Sequence, residues 1–230
     1  MDFAVPPITQ PASLADLAYE TLKEFLISLP PDNHEKLEER ALAKQLGISR
    51  TPLREAIQRL AAEGFLRVEP RRGVFINCRS KEEILEILYV RAALEAMAAR
   101  LAVRYVTSDD IGLLREIFKS FDVSTVEDQV QEFSLANVMF HEKSLELSRC
   151  SRLIELSSNI RDQMRMVRIC TMRTGGRARN ALVEHLEIID ALEARDADLA
   201  AGRMREHILG LAQYVEQSEI PYPWNKSVVD

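Results

Sequence analysis

Leu42-Ala43-Lys44-Gln45-Leu46-Gly47-Ile48-Ser49-Arg50-Thr51-Pro52-Leu53-Arg54-Glu55-Ala56 holds a helix end, a break and a helix start within one short run. Leu37, Ala41, Leu42 and Leu46 recur at helical spacing and predict a short helix. Gly47 ends it, because glycine enters the left-handed region without steric cost. Ser49 and Thr51 are both candidate N-caps, and Pro52 is tolerated in a first turn. Leu53, Ala56, Ile57 and Leu60 form the buried stripe of the next helix, which ends near Gly64. Two short apolar runs follow, Phe65-Leu66-Arg67-Val68 and Val74-Phe75-Ile76. Pro70-Arg71-Arg72-Gly73 separates them, which predicts a β-hairpin with a basic tip. Upstream, Leu14, Leu17, Ala18, Leu22, Phe25, Leu26 and Leu29 trace one face of a first helix, stopped by Pro30 and Pro31. Residues 1–12 carry three prolines and little pattern, and are expected to form a mobile leader.

Helix, glycine turn, helix and small hairpin make a winged helix-turn-helix. Its second paired helix enters the DNA major groove with its N-terminal residues toward the bases. Arg50, Thr51 and Arg54 stand there, and arginine donates two hydrogen bonds to guanine N7 and O6. Arg40, on the preceding helix, is placed for phosphate. Arg72 and Gly73 lie at the wing tip, where a small residue lets the backbone approach a groove. The charge distribution agrees. The chain carries −6 overall, yet Arg40 to Arg79 holds nine Lys or Arg against three acids, a local +6. A basic island on an acidic chain points to a local polyanion site. The plainer alternative is a solvated basic face on an ordinary helical domain.

The remaining two-thirds read as all α. None of the nine prolines lies between Arg71 and Ile220, and the apolar residues there keep helical spacing. The expected fold is therefore mostly α: a winged helix-turn-helix over 13–78, then an antiparallel bundle of about six helices over 80–217. A tail over 218–230, with Pro221 and Pro223, cannot continue the last helix. The 230 residues are 47% hydrophobic and 29% charged, which excludes a wholly disordered chain. Cys78, Cys150 and Cys170 are an odd number without a CxxC pair, so neither a disulfide scaffold nor a zinc ribbon is expected. Cys150 and Cys170 read as packing residues. The start, Met1-Asp2-Phe3, lacks the basic and apolar segments of a secretory signal, and no apolar run is long enough to span a bilayer. A soluble cytoplasmic protein is expected.

Three of the four histidines fall in the helical part. His141 shares a helix face with Asn137, beside a stripe of Val130, Phe133, Phe140 and Leu145. His185 lies between Leu182 and Ile188-Ile189, and His207 between Met204 and Leu211, both on inward faces. One buried histidine is usually a hydrogen-bonded core residue. Three on inward faces of three helices suggest a metal site, since neutral imidazole suits Zn²⁺ and Ni²⁺ and bundles build such sites from facing helices. An enzyme is not expected. There is no HExxH, no Gly-rich phosphate loop and no paired nucleophile. The di-iron spacing is absent too, because Val138, Leu182 and Met204 stand three residues before the histidines. Glu142, Glu184 and Glu206, each next to a histidine, turn away from it on a helix.

The stretch from Leu42 to Ala56, with Gly64-Phe65-Leu66 and Pro70-Arg71-Arg72-Gly73, resembles the signature of the GntR family of bacterial transcription regulators. One departure is Pro30-Pro31-Asp32-Asn33-His34, where that family usually has a Pro-Gly turn. The resemblance implies a dimeric repressor or activator on an operator of inverted-repeat half-sites. It assigns DNA roles to Arg40, Arg50, Thr51, Arg54 and Gly73. Residues 80–217 are similar to the FCD effector domain of the family's FadR-type branch. That likeness rests on Tyr89-Val90-Arg91-Ala92-Ala93-Leu94-Glu95, Asn137 to His141, Glu184-His185-Leu186, Ala191 to Asp196 and Met204-Arg205-Glu206-His207. By that resemblance Asn137, His141, His185 and His207 ligate a divalent metal, zinc first, with nickel or manganese as alternatives. Many members have aspartate where Asn137 stands. The neutral amide donates less charge, which lowers metal affinity and leaves the site at +2, favouring an anionic effector. The implied effector is a small organic acid, with Arg91 as its candidate carboxylate partner. The plainer reading of Arg91 is a surface pair with Glu95, four residues on. Two alternatives stay open: a regulator that senses the metal itself or holds it structurally, and, more remotely, a metal-dependent enzyme.

Overall fold

Ser13 opens the first helix. Its Oγ accepts from the Asp16 N–H, and Asp16 returns the bond to the Ser13 N–H, a reciprocal cap over α1 (Leu14–Ser28). The computed structural model describes residues 13–29, 35–77, 79–172 and 177–217, without the side chains of 165–172. The expected leader, the Pro30–His34 turn, Cys78 and the tail lie outside the described residues, as does the side chain of Cys170. The chain divides into two units between Cys78 and Arg79.

In the first unit, α1 packs on α3 (Arg50–Ala62), and α2 (Glu39–Leu46) also contacts α3. Gly47 ends α2 at φ +66°, and Ile48 N–H returns to the Ala43 carbonyl. Leu53, Ala56, Ile57 and Leu60 are buried, as their spacing predicts. Ser49 occupies the N-cap position of α3 without a side-chain hydrogen bond, while Thr51 lies inside the helix, so the second N-cap candidate is wrong.

Two further expectations need correction. Leu14, Leu17 and Phe25 do not join the buried face of α1; Leu14 is 57% exposed. The inward line is Ala15, Ala18, Tyr19, Leu22 and Leu26. Tyr19 takes an inward place because its ring lies 4.0 Å from the Arg59 guanidinium and its hydroxyl donates to Glu63 at 2.6 Å. Leu37 is not helical. Lys36–Leu37 forms β1, so the hairpin of β2 (Leu66–Glu69) and β3 (Gly73–Ile76) becomes a three-stranded antiparallel sheet of order β1-β3-β2. Lys36 faces Phe75, Leu37 faces Val74, and Val68 faces Val74 from the other side.

The second unit contains α4 (Lys81–Ala102), α5 (Ser108–Phe118), a 3₁₀ turn (Val126–Gln129), α6 (Val130–Leu147), α7 (Ser151–Met172), α8 (Arg177–Glu193) and α9 (Ala197–Gln217). Reciprocal caps start α4 (Ser80 with Glu83) and α5 (Thr107 with Asp110). Helix α4 is central, packed on α9, α6 and α7, while α8 lies against α9 and α5 against α6 and α8. Arg195, at φ +55°, ends the α8 turn and donates to the Val103 and Val106 carbonyls at the end of α4. The core runs through Ile84, Leu88, Phe118, Phe133, Phe140, Ile188 and Met204. His141, His185 and His207 lie buried among these apolar residues.

Candidate metal centre and nucleic-acid interface

Helices α6, α8 and α9 supply His141, His185 and His207, all buried. One ligating nitrogen from each lies within 4.8 Å of the others. The Nε2 atoms of His141 and His207 face each other at 3.2 Å. Both rings use Nδ1 elsewhere. His141 Nδ1 is 2.6 Å from Glu95 Oε2, and His207 Nδ1 is 2.6 Å from Glu184 Oε2. An ionised carboxylate only accepts, so Nδ1 carries the proton and each Nε2 keeps its lone pair.

Burial sets the charge of the cluster. It pushes all three imidazoles below the usual histidine range, His185 and His207 furthest. Neighbouring cations add to this, while Glu95 opposes it at His141. Burial alone would raise the Glu95 carboxyl, but the Arg91 guanidinium and His141 hold it well below the carboxylate range. The result is three neutral imidazoles beside an ionised glutamate.

This donor set fits a divalent ion. Two nitrogens bound to one tetrahedral zinc at about 2.0–2.1 Å would stand roughly 3.3–3.4 Å apart, and the two Nε2 atoms stand close to that, at 3.2 Å. Neither nitrogen of His185 has a hydrogen-bond partner among the described residues, and neither does Oδ1 of buried Asn137, one turn before His141 on α6. Buried polar atoms without partners are uncommon, and these imidazole nitrogens and this amide oxygen are atoms that ligate metals.

Arg91 sits on α4 with its Nε donating to Glu95 Oε1 at 2.6 Å. The pair with Glu95 exists, but it is not on the surface: Arg91 is 8% exposed. Arg161 on α7 lies 3.7 Å from Glu142 on α6. Three roles are missed by the sequence reading: Glu95 on His141, Glu184 on His207, and Arg177 altogether. Arg177 Nη1 donates to both oxygens of Glu184, at 2.9 and 2.8 Å. Glu184 does turn away from adjacent His185, but that points it at His207 on α9. Only the Arg91-x-x-x-Glu95 spacing signalled any of this.

In the first unit, Arg50, Thr51 and Arg54 occupy the exposed first turns of α3, and Arg40 is exposed on α2. Arg54 Nε donates to Glu39 Oε2 at 2.7 Å, which links the two helices. At the wing, Glu69 pairs with Arg67 and with Arg72, the latter at 3.1 Å. Gly73 has φ +123°, and a Cβ there would come within 2.7 Å of Lys36 Cε. The contact is with the movable end of a side chain, so it is the φ of +123° that calls for glycine here.

Comparison with known proteins agrees with both units. The family described as "Bacterial regulatory proteins, gntR family" matches residues 14–76, and the FCD domain matches 86–210. The Nta operon transcriptional regulator of Aminobacter aminovorans is 32% identical over 174 residues, 76% of this chain and 81% of that one. The transcriptional repressor RspR of Escherichia coli is 25% identical over 181 residues, 79% of each chain. The solved structure of E. coli McbR/YncC shares the fold, with a TM-score of 0.71 at 24% identity, covering 90% of this chain and 99% of that one. No helix among the described residues is long and apolar enough to cross a membrane. These relatives are transcription regulators, not enzymes. The chain belongs to the GntR family of bacterial regulatory proteins, as a DNA-binding transcription regulator with an FCD domain behind its winged helix-turn-helix.

Proposed function

We propose that this regulator is a cytoplasmic homodimeric repressor controlled by a small organic carboxylate at a metal held in its helical domain, residues 80–217. The DNA-binding domain is 13–78, with Arg50, Thr51 and Arg54 reading bases, Arg40 on phosphate, and Arg72 and Gly73 at the wing. A symmetric dimer needs two half-sites, so the operator is an inverted repeat. Repression is supported by relatives: RspR is named a repressor, and so is the gluconate operon regulator of Bacillus licheniformis, 29% identical over 168 residues.

The observation that carries the reading is the meeting of three buried neutral imidazoles with two Nε2 lone pairs 3.2 Å apart. Asn137, His141, His185 and His207 would hold the ion, zinc first, with nickel or manganese as alternatives. When bound, it supplies a divalent charge and open coordination positions. All four protein ligands are neutral, so an anion is favoured as the remaining partner in this low-dielectric site. Arg91, whose Nε pairs with Glu95, is the candidate for a further bond to the effector's carboxylate. Effector binding alters DNA affinity only as far as the effector prefers one conformation of the dimer.

The test is operator affinity while candidate acids are titrated into wild type and His185→Ala, each with and without chelator. A response confined to metal-loaded wild type is expected. An acid that shifts all four samples equally removes the metal from sensing. A response to metal alone would make the protein a metal sensor.

A further inference from the structure

We propose that Glu95 and Glu184 are positioning residues for the metal-binding imidazoles, each fixing the tautomer and ring orientation of one histidine, with Arg91 and Arg177 holding the carboxylates in place. This rests on the metal reading above. It gives work to buried Glu95 and Arg177 and to half-buried Glu184, which neither the DNA contacts nor the ligand set uses.

Two relays converge on the cluster. In one, Arg91 Nε donates to Glu95 Oε1 at 2.6 Å, and Glu95 Oε2 takes His141 Nδ1 at 2.6 Å. Helix α4 supplies the arginine and glutamate, four residues apart, and α6 the histidine. In the other, Arg177 Nη1 binds both oxygens of Glu184, and Glu184 Oε2 takes His207 Nδ1 at 2.6 Å. Here α8 supplies arginine and glutamate, seven residues apart, and α9 the histidine. The sequence spacings differ, yet the order of groups is the same. Arg177 Nη2 also lies 3.4 Å from His207 Nδ1. A guanidinium only donates, and it is satisfied by the His207 carbonyl at 3.1 Å, so the shorter carboxylate bond decides the tautomer.

The physical need is specific. A neutral imidazole carries its proton on either nitrogen, and a proton on Nε2 blocks coordination there. A carboxylate at Nδ1 draws the proton to that side and leaves Nε2 as the ligand atom. His185 has no such partner among the described residues. Its ring is held by stacking on Phe118, 4.9 Å away at 13°, and by Phe140 at 4.5 Å. Two ligands are thus oriented by charge-assisted bonds and the third by apolar packing.

The test uses the chelator-stripped full chain. Long-range ¹H–¹⁵N NMR reads the tautomer of each histidine, and Zn²⁺ affinity is measured against a competing chelator. Wild type should show Nδ1–H at His141 and His207. The Glu184 side chain is 30% exposed, so Glu184→Gln should fold. Glutamine can donate as well as accept, so the variant should mix the His207 tautomers, leave His141 unchanged and weaken Zn²⁺ binding by about 10–100-fold. Glu95→Gln should do the reverse, mixing only His141. A merely structural carboxylate would not confine its effect to one ring. If wild type binds Zn²⁺ and Glu184→Gln matches it in both tautomer and affinity, the positioning role is wrong. If wild type takes up no Zn²⁺, the metal reading fails and takes the proposal with it.

Discussion

The His185 ring stacks on Phe118 with centroids 4.9 Å apart and planes 13° from parallel. This packing orients an imidazole whose two nitrogens have no hydrogen-bond partner among the described residues. An unpartnered buried polar group costs about 1–3 kcal/mol, and an apolar replacement of similar shape removes that cost. His185→Leu should therefore melt at or above wild type once both are stripped of metal. With Zn²⁺ added, wild type should gain stability and the variant should not. A stripped variant melting well below stripped wild type would make His185 an ordinary core residue with a partner.

The three imidazoles also predict how acid acts on the stripped protein. Burial pushes their pKa values down, so they are neutral in the folded chain. Unfolded, they titrate near about 6.5. Below that pH the unfolded chain takes up protons that the folded chain refuses. Their contribution is complete above about pH 6.5 and is lost as pH falls. The melting temperature should decline steadily from pH 7 to pH 5, above the range where carboxylates titrate. Replacing all three by apolar residues should flatten that slope in any variant that folds.

At the DNA surface, Arg54→Ala should cost about 1–3 kcal/mol on the operator and relax its sequence preference. Arg40→Ala should weaken all sequences alike and lower the salt slope by about 1. Gel shifts on operator and scrambled DNA at several salt concentrations separate the two. Full operator affinity after replacing Arg50 and Arg54 together would mean that another element reads the bases.

Gly73→Ala should destabilise the DNA-binding unit by about 1–3 kcal/mol, because φ +123° is strained for any L side chain. The close approach to Lys36 Cε matters less, since that end of the side chain can swing aside. Adding Lys36→Ala should therefore not restore stability in urea unfolding. A full rescue would place the cost in the contact rather than the backbone.

Local chemistry made most of the fold readable in advance. Gly47, the Leu53-Ala56-Ile57-Leu60 stripe and the Pro70–Gly73 turn each act within a few residues, so their pattern survives without tertiary knowledge. β1 was not readable. Leu37 sits at helical spacing from Ala41, and only pairing with Val74, 37 positions on, makes it a strand. The inward face of α1 is not legible locally, because Tyr19 wins its inward place through Glu63 and Arg59 on distant sequence. The candidate site divides the same way. The inward faces of His141, His185 and His207 follow from helical period alone. Glu184 on His207 and Glu95 on His141 depend on which helices pack together, and neither spacing nor composition carries that information.

The central question is whether the cluster holds a metal, and the most direct measurement is the zinc stoichiometry of chelator-stripped protein by equilibrium binding. One Zn²⁺ per chain, lost in His141→Ala and His207→Ala, with a melting temperature that rises on loading, is the expected result. No uptake, together with a melting curve indifferent to Zn²⁺, Ni²⁺ and Mn²⁺, would contradict it and leave the three histidines as a buried polar cluster of the core.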